Sequence, residues 1–282
     1  MNNMNRVFIL GSGKSILSLS TKEIDIINSS NNIIAMNKYM AFYELSDIKP
    51  NAIYFHDIYG VNVFSYIVQK CNKQQLSNIT WFLHPYLSMF LYTKKKQLCM
   101  NILKDFYYRL MALIKIILKL NRNCRLHRYV LFRKFHYFKI PSTHRIINVE
   151  IGDWLKGGKW ADSFNDKLFH FRGSLTTSIN VASIISPNSD IILVGNDFNG
   201  SEYFYEEELK RSGLIFEDYT TKIVKNAGVH YSFIKVKGTS MEEKFPFIQK
   251  ELSKRGCHLY CTNPNSLLVT KAGVKYLDLN KL

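Results

Sequence analysis

The sequence predicts an α/β fold: a mostly parallel sheet with helices on both faces, a lid segment and a basic amphipathic helical insertion. Three observations carry this. Short, wholly apolar runs recur along the chain, each run ends in glycine or polar residues, and stretches with helical spacing lie between them. A continuous apolar run suits a strand buried on both faces, as in a parallel sheet, whereas a half-exposed strand would alternate.

The runs appear in order. Val7–Leu10 leads into Gly11-Ser12-Gly13, Ile33–Met36 into Asn37, and Ala52–Phe55 into His56-Asp57. Ile79–Leu83 leads into His84-Pro85, Ile191–Val194 into Gly195-Asn196-Asp197, and His258–Cys261 into Thr262-Asn263-Pro264. Ligands of doubly wound sheets bind outside the carboxyl ends of strands, where these polar residues fall. Helices are expected over 21–28, opened by the capping box Ser20-x-x-Glu23, and over 174–186 and 241–254. With 282 residues and 46% hydrophobic content, the chain is long and apolar enough to bury a full core.

Residues 86–145 interrupt the rhythm and hold most of the charge. The formal net charge is +16, and thirteen Lys or Arg against one acid between Lys94 and Lys139 account for +12 of it. On a helical wheel of 98–122, Asn101, Lys104, Asp105, Arg109, Lys115, Lys119 and Arg122 form a polar stripe. Apolar residues cover the rest. Such a helix either lies in an anionic membrane interface or packs on the main domain with its basic side in water. Tyr107, Tyr108, Tyr129, Phe132 and Tyr137 interleave with the basic residues, but no nucleic-acid motif accompanies them, so nucleic acid ranks last.

The five cysteines are odd in number and lack a C-x-x-C, which indicates reduced thiols; Cys257 and Cys261 alternate as in a buried strand. No signal peptide and no membrane-spanning run are expected.

Gly11-Ser12-Gly13-Lys14-Ser15 is not a P-loop, because the required first glycine is replaced by Phe8. It remains a strand followed by a glycine turn whose N–H groups can cradle a phosphate. No Asp-x-Asp occurs, so no metal ligand and no cofactor is expected.

Three blocks resemble a known family. Phe8-Ile-Leu-Gly-Ser-Gly-Lys-Ser15 with Met36-Asn37, then Arg172-Gly-Ser-Leu-Thr176 with Ile192–Phe198 and Asn199–Tyr203, then Leu259–Leu268 are similar to bacterial lipooligosaccharide sialyltransferases. The resemblance covers about 1–60 and 165–270 and leaves out the basic insertion. It implies one Rossmann-like domain, 1–85 with 146–282, and a lid at about 199–232. It further implies an inverting, metal-independent transfer of sialic acid from CMP-sialic acid.

Carried over by position, Gly11, Ser12, Gly13, Ser15, Asn37, His56, Arg172, Ser174, Thr176, Asn196, Asp197, Asn265 and Ser266 would form the donor site, with Asp197 fixing its loop through backbone hydrogen bonds. Tyr203 would hydrogen-bond the departing phosphate, and His230 would be the general base, the role that a near-neutral pKa favours. The sequence departs from the family at Asn199, where a second tyrosine is the pattern, and at His56, where asparagine is. Tyr205 and Tyr219 stand as substitutes for the missing tyrosine. A related acid such as Kdo or pseudaminic acid therefore stays open as donor.

The expected acceptor is a lipooligosaccharide, capsular or other lipid-linked glycan. The expected partners are the CMP-sugar, an anionic membrane through 86–140 and a second copy in a homo-oligomer. The expected location is the inner face of a bacterial cytoplasmic membrane. The competing readings are a transferase using another activated sugar, and a non-enzymatic basic membrane- or RNA-binding protein.

Overall fold

The structure, a computed structural model, describes residues 5–58, 60–117, 136–200, 203–212 and 229–282. The six apolar runs all form strands of one sheet: β1 (Asn5–Leu10), β2 (Ile33–Met36), β3 (Ala52–Phe55), β4 (Thr80–Leu83), β8 (Ser189–Val194) and β9 (His258–Cys261). Two further strands, β7 (Arg145–Asn148) and β10 (Lys275–Tyr276), close its edges. The order is β10-β9-β8-β1-β2-β3-β4-β7, and every pairing is parallel. From β1 the chain steps outward to β7, then crosses back to lay β8 on the other side of β1. The strand order therefore reverses between β1 and β8, where Leu10 stands opposite both Ala35 and Val194.

Side-chain parity divides the core. Phe8 and Leu10 point into one apolar layer, with Phe64, Ile67 and Val68 of α2 (Val61–Lys73). Val7 and Ile9 point into the other, with Ile179 and Val181 of α5 (Ser174–Ile185) and Phe245, Ile248 and Leu252 of α7 (Phe245–Ser253). That alternation on a fully buried strand is what a two-faced parallel sheet requires. Helix α1 (Thr21–Asn28) starts at the expected capping box: Ser20 Oγ accepts from Glu23 N, and Glu23 accepts from Ser20 N at 2.8 Å. Cys257 and Cys261 are buried at and beside β9, and among the described residues Cys71 and Cys99 are free thiols as well.

The insertion opens with α3 (Pro85–Ser88). Two short parallel strands, β5 (Leu91–Tyr92) and β6 (Phe138–Lys139), then tie its two ends together. Between them α4 (Lys95–Ile117) covers the described part of the helix expected at 98–122. Residues 118–135, including Tyr129 and Phe132, lie outside the described residues. The helix is not seated apolar side down. Its polar side faces the domain: Asn101 is buried and donates to Leu91 O at 2.8 Å, while buried Asp105 accepts from Arg109 Nε at 3.0 Å and from Tyr137 OH at 3.1 Å. No helix among the described residues is long and apolar enough to cross a membrane.

Candidate active site

The reversal of strand order opens a crevice at the carboxyl ends of β1 and β8. Gly11 N–H donates to Val194 O at 2.8 Å and Gly13 N–H to Gly195 O at 2.7 Å, so the turn after β1 continues the ladder with β8. The two backbones are close enough to exclude side chains. A Cβ on Gly11 would meet Asn196 Oδ1 at 2.6 Å, and one on Gly13 would meet Gly195 O at 2.8 Å. Contacts under 3 Å are not tolerated by a methyl group, and the atoms met are backbone or held side chain.

Asp197 fastens this crevice. Its carboxylate accepts from Ser15 N at 2.9 Å, from Ser15 Oγ, and from Asn263 Nδ2 at 2.7 Å, while its own carbonyl accepts from Leu267 N at 3.0 Å. Beside it Asn196, almost fully buried, donates to Ile9 O and Val194 O, both at 3.0 Å. Ser266, wholly buried, donates to Asn196 O at 2.6 Å and caps α8 (Leu267–Thr270). The three motif blocks thus meet at one point. Ser15, Asn196, Asp197 and Ser266 hold the blocks to each other.

The next strand tip brings Asn37, in a left-handed backbone conformation (φ 50°), to the first residue of α5, where its Nδ2 donates to Ser174 Oγ at 2.9 Å. Asn37 Oδ1 is buried and has no hydrogen-bond partner among the described residues. Thr176 does not face the crevice. Its Oγ1 accepts from Phe171 N at 2.9 Å and is buried inside the turn that opens α5. Nor does Arg172, whose exposure is 0%. Its guanidinium lies over the stacked Trp154 and Tyr231 rings, 5.0 and 5.3 Å from their centroids, and donates to Thr239 O, Tyr231 O and Ile234 O. Arg172 therefore anchors the segment that carries His230. Ser232 Oγ completes the attachment by donating to Arg172 O at 2.8 Å.

His230 caps the short turn Tyr231–Phe233, its N–H donating to Phe198 O at 3.0 Å and its ring meeting the Phe198 ring edge-on at 5.0 Å. It thus sits against the loop that leaves β8. Its Nδ1 accepts from Ser232 N at 3.3 Å, so the neutral ring carries its proton on Nε2. Tyr203 bridges Gly13 in antiparallel fashion, and Phe204 N donates to Ser12 O at 3.0 Å, which brings the tyrosine beside the glycine turn. Tyr205 is buried and stacked between Phe42 and Tyr203, so it is no second phosphate ligand. Tyr219 lies outside the described residues, as does most of the expected lid. Asn199 Nδ2 donates to the carbonyl of exposed Asn265 at 3.0 Å, linking that lid's first residue to the third block.

His56 follows β3 and His84 follows β4, with their rings edge to face at 4.6 Å. Burial holds His56 at a pKa of about 3, reinforced by the neighbouring His84 and His170. Burial likewise lowers His84 and brings His170 to about 4. All three rings are neutral near pH 7. His56 Nε2 is buried without a hydrogen-bond partner among the described residues, and His84 Nδ1 accepts from Tyr86 N at 3.0 Å. Among the described residues no group of three His, Cys, Asp or Glu side chains is placed to hold a metal ion.

Sequence reasoning passed over Asn263, Trp154, Tyr231 and His170. Asn263 stood within a quoted motif and was legible as an Asn-Pro-Asn turn; the other three lie in loops without local signal.

No protein-family model and no curated protein sequence matches the chain. Solved structures do. The chain is similar to the monofunctional α-2,3-sialyltransferase Cst-I from Campylobacter jejuni, at 14% identity and a TM-score of 0.42 over 99% of this chain and 83% of that one. It is also similar to the sialyltransferase CstII from Campylobacter jejuni in complex with cytidine-5′-monophosphate (17% identity, TM-score 0.40, 99% and 87% covered) and with CMP-3FNeuAc (17%, 0.42, 98% and 88%).

Proposed function

We propose that the protein is a glycosyltransferase that moves sialic acid, or a related nonulosonic acid, from a CMP-linked donor to a glycan acceptor, with inversion and without a metal. One observation supports this above the rest. Residues 11–15, 195–199 with Tyr203, and 262–268, far apart in the chain, converge on the crevice where strand order reverses, with Tyr203 bridged to Gly13. That is the place where a doubly wound sheet binds a nucleotide.

The chemistry asked of the site is the departure of a phosphate anion. The Tyr203 hydroxyl and the amino end of α5 at Ser174 can stabilise that charge, whereas the N–H groups of Gly11 and Gly13 are given to Val194 and Gly195. The attacking sugar hydroxyl must lose a proton, and His230 is the proposed base. To accept at Nε2 the ring must take the other tautomer and give up the long bond from Ser232 N at 3.3 Å. A neutral hydrogen bond contributes only about 1 kcal/mol, so donor binding can supply that change. Arg172 and Asp197 take positioning roles, holding the His230 segment and the glycine turn.

Thermal-shift screening of CMP, CDP, UDP and GDP tests the donor class. A ligand at about 100 times its Kd adds about 2.7 kcal/mol, or roughly 5 °C for a chain of this size. CMP should give this shift, and preference for UDP or GDP would overturn the reading. With CMP-sialic acid and a glycan acceptor, His230→Ala should lower turnover by roughly 10² to 10⁴ with the CMP shift unchanged. Undiminished turnover would remove His230 from the chemistry.

A further inference from the structure

Twelve large hydrophobic side chains are well exposed among the described residues, and eight of them belong to α4. Leu103 is 62% exposed and Phe106 68%, with Met100, Ile102, Tyr107, Tyr108, Leu110 and Leu113 between 42% and 59%. They are not scattered. At 3.6 residues per turn, Cys99, Leu103, Phe106, Leu110 and Leu113 fall within a sector of about 80°. Asn101, Asp105 and Ala112 occupy the opposite sector, which is the side buried against the domain. The helix is therefore anchored through polar groups and turns its apolar stripe outward. A contiguous apolar surface of this kind marks a place of contact.

Charge decides what covers it. Lys94, Lys95 and Lys96 are exposed at the amino end of α4 and Lys104 on its flank. Cations at a helix amino end oppose the helix dipole, so internal electrostatics gives no reason for them. The one acid of α4, Asp105, is buried and bonded to Arg109 and Tyr137. Two copies joined through this face would bring lysines together with no exposed acid on α4 to answer them. A lipid surface of negative charge answers both features, taking the apolar stripe into its headgroup boundary and the ammonium groups against its phosphates.

We propose that α4 lies flat on an anionic bilayer, with Leu103, Phe106 and Leu110 inserted and Lys94, Lys95, Lys96 and Lys104 against the headgroups. Asn101, Lys104 and Tyr108 also line a cavity of about 390 Å³ that reaches Pro85 and Asn148, at the carboxyl ends of β4 and β7. The proposed bilayer face and this cavity at the carboxyl edge of the sheet thus lie on opposite sides of α4, one helix width apart. If the proposed glycosyl transfer holds, its acceptor belongs to the lipid-anchored class.

Co-sedimentation of the full chain with phosphatidylcholine vesicles, alone or mixed with phosphatidylglycerol, tests the docking without reference to any activity. Binding should require phosphatidylglycerol and weaken with salt. Leu103→Glu/Phe106→Glu should reduce it at least about tenfold, and Lys95→Glu/Lys96→Glu/Lys104→Glu likewise. Because these side chains are exposed, the circular-dichroism melt should stay at the wild-type temperature. The proposal is overturned if the wild type ignores anionic vesicles, or if either variant binds as well as the wild type. It is also overturned if light scattering shows a wild-type oligomer that Leu103→Glu/Phe106→Glu dissociates while vesicle binding is unchanged. Loss of the CMP shift in the wild type would bear on the donor alone.

Discussion

Asp197 shows how one residue at a strand tip can hold separate segments of a site together. Its carboxylate answers Ser15 N, Ser15 Oγ and Asn263 Nδ2 together. Asp197→Ala leaves those donors without an acceptor, and each unanswered donor costs about 1–3 kcal/mol where water cannot reach it. We expect a loss of roughly 2–4 kcal/mol in urea unfolding, together with weakened CMP binding, and a smaller loss for Asp197→Asn, which keeps one acceptor oxygen. A wild-type urea midpoint in Asp197→Ala would show that the clasp is incidental. The residues of this clasp were visible in the sequence, and Asp197 could be read as fixing its loop, but the duties of Ser15, Asn196 and Ser266 were not. Backbone N–H and C=O groups that leave a buried strand must find partners, and the nearest small polar side chains supply them. Asn196, Asp197, Thr176 and Ser266 are spent in this way. A sequence shows that polar residues gather at strand tips, and only the packed chain shows which face inward.

The same division runs through the elements. The six central strands were legible because burial on both faces demands uninterrupted apolar runs. The edge strands β7 and β10 were not, because Arg145, Asn148, Lys275 and Tyr276 are exposed and an edge strand need not be apolar. For α4 the periodicity gave two faces but no sign of which would be seated, since Asn101 and Asp105 find specific partners in Leu91 and Tyr137 that lie outside the helix. Arg172 is the matching case in a loop. It joins the start of α5 to the 230–240 segment through three carbonyls and two aromatic faces, a geometry suited to a planar fork and not to an ammonium. Arg172→Lys should therefore cost about 2–3 kcal/mol and loosen that segment selectively. Hydrogen exchange is the measurement that separates these effects. Amides of Ser232 and Ile234 should lose protection while those of β1 and β8 keep theirs, and uniform protection in both regions would mean that Arg172 does not hold the segment.

For the whole molecule, the buried histidines set a limit on the acid side. His56 and His170 have folded pKa values of about 3 and 4, against about 6.5 in an unfolded chain. Below pH 6.5 the unfolded chain takes up protons that the folded one refuses, so stability is complete above that value and falls as pH drops towards 4. Each group contributes a slope of up to about 1.4 kcal/mol per pH unit, and two groups over two units remove about 5 kcal/mol. That is comparable to the whole stability of an ordinary domain, about 5–15 kcal/mol, so the urea midpoint should fall steeply between pH 6.5 and 4.5. His84 and His144, also lowered by burial, steepen the fall. A net charge of +16 offers a rival cause, since general repulsion also grows in acid. Salt separates the two. Repulsion between surface charges is screened within about 10 Å at 0.1 M, whereas the cost of ionising a ring held against two other rings under the sheet edge is not. The acid loss should therefore persist in added sodium chloride and shrink in His56→Asn/His170→Gln. A loss that salt abolishes and the double substitution leaves intact would assign the acid sensitivity to the basic surface instead.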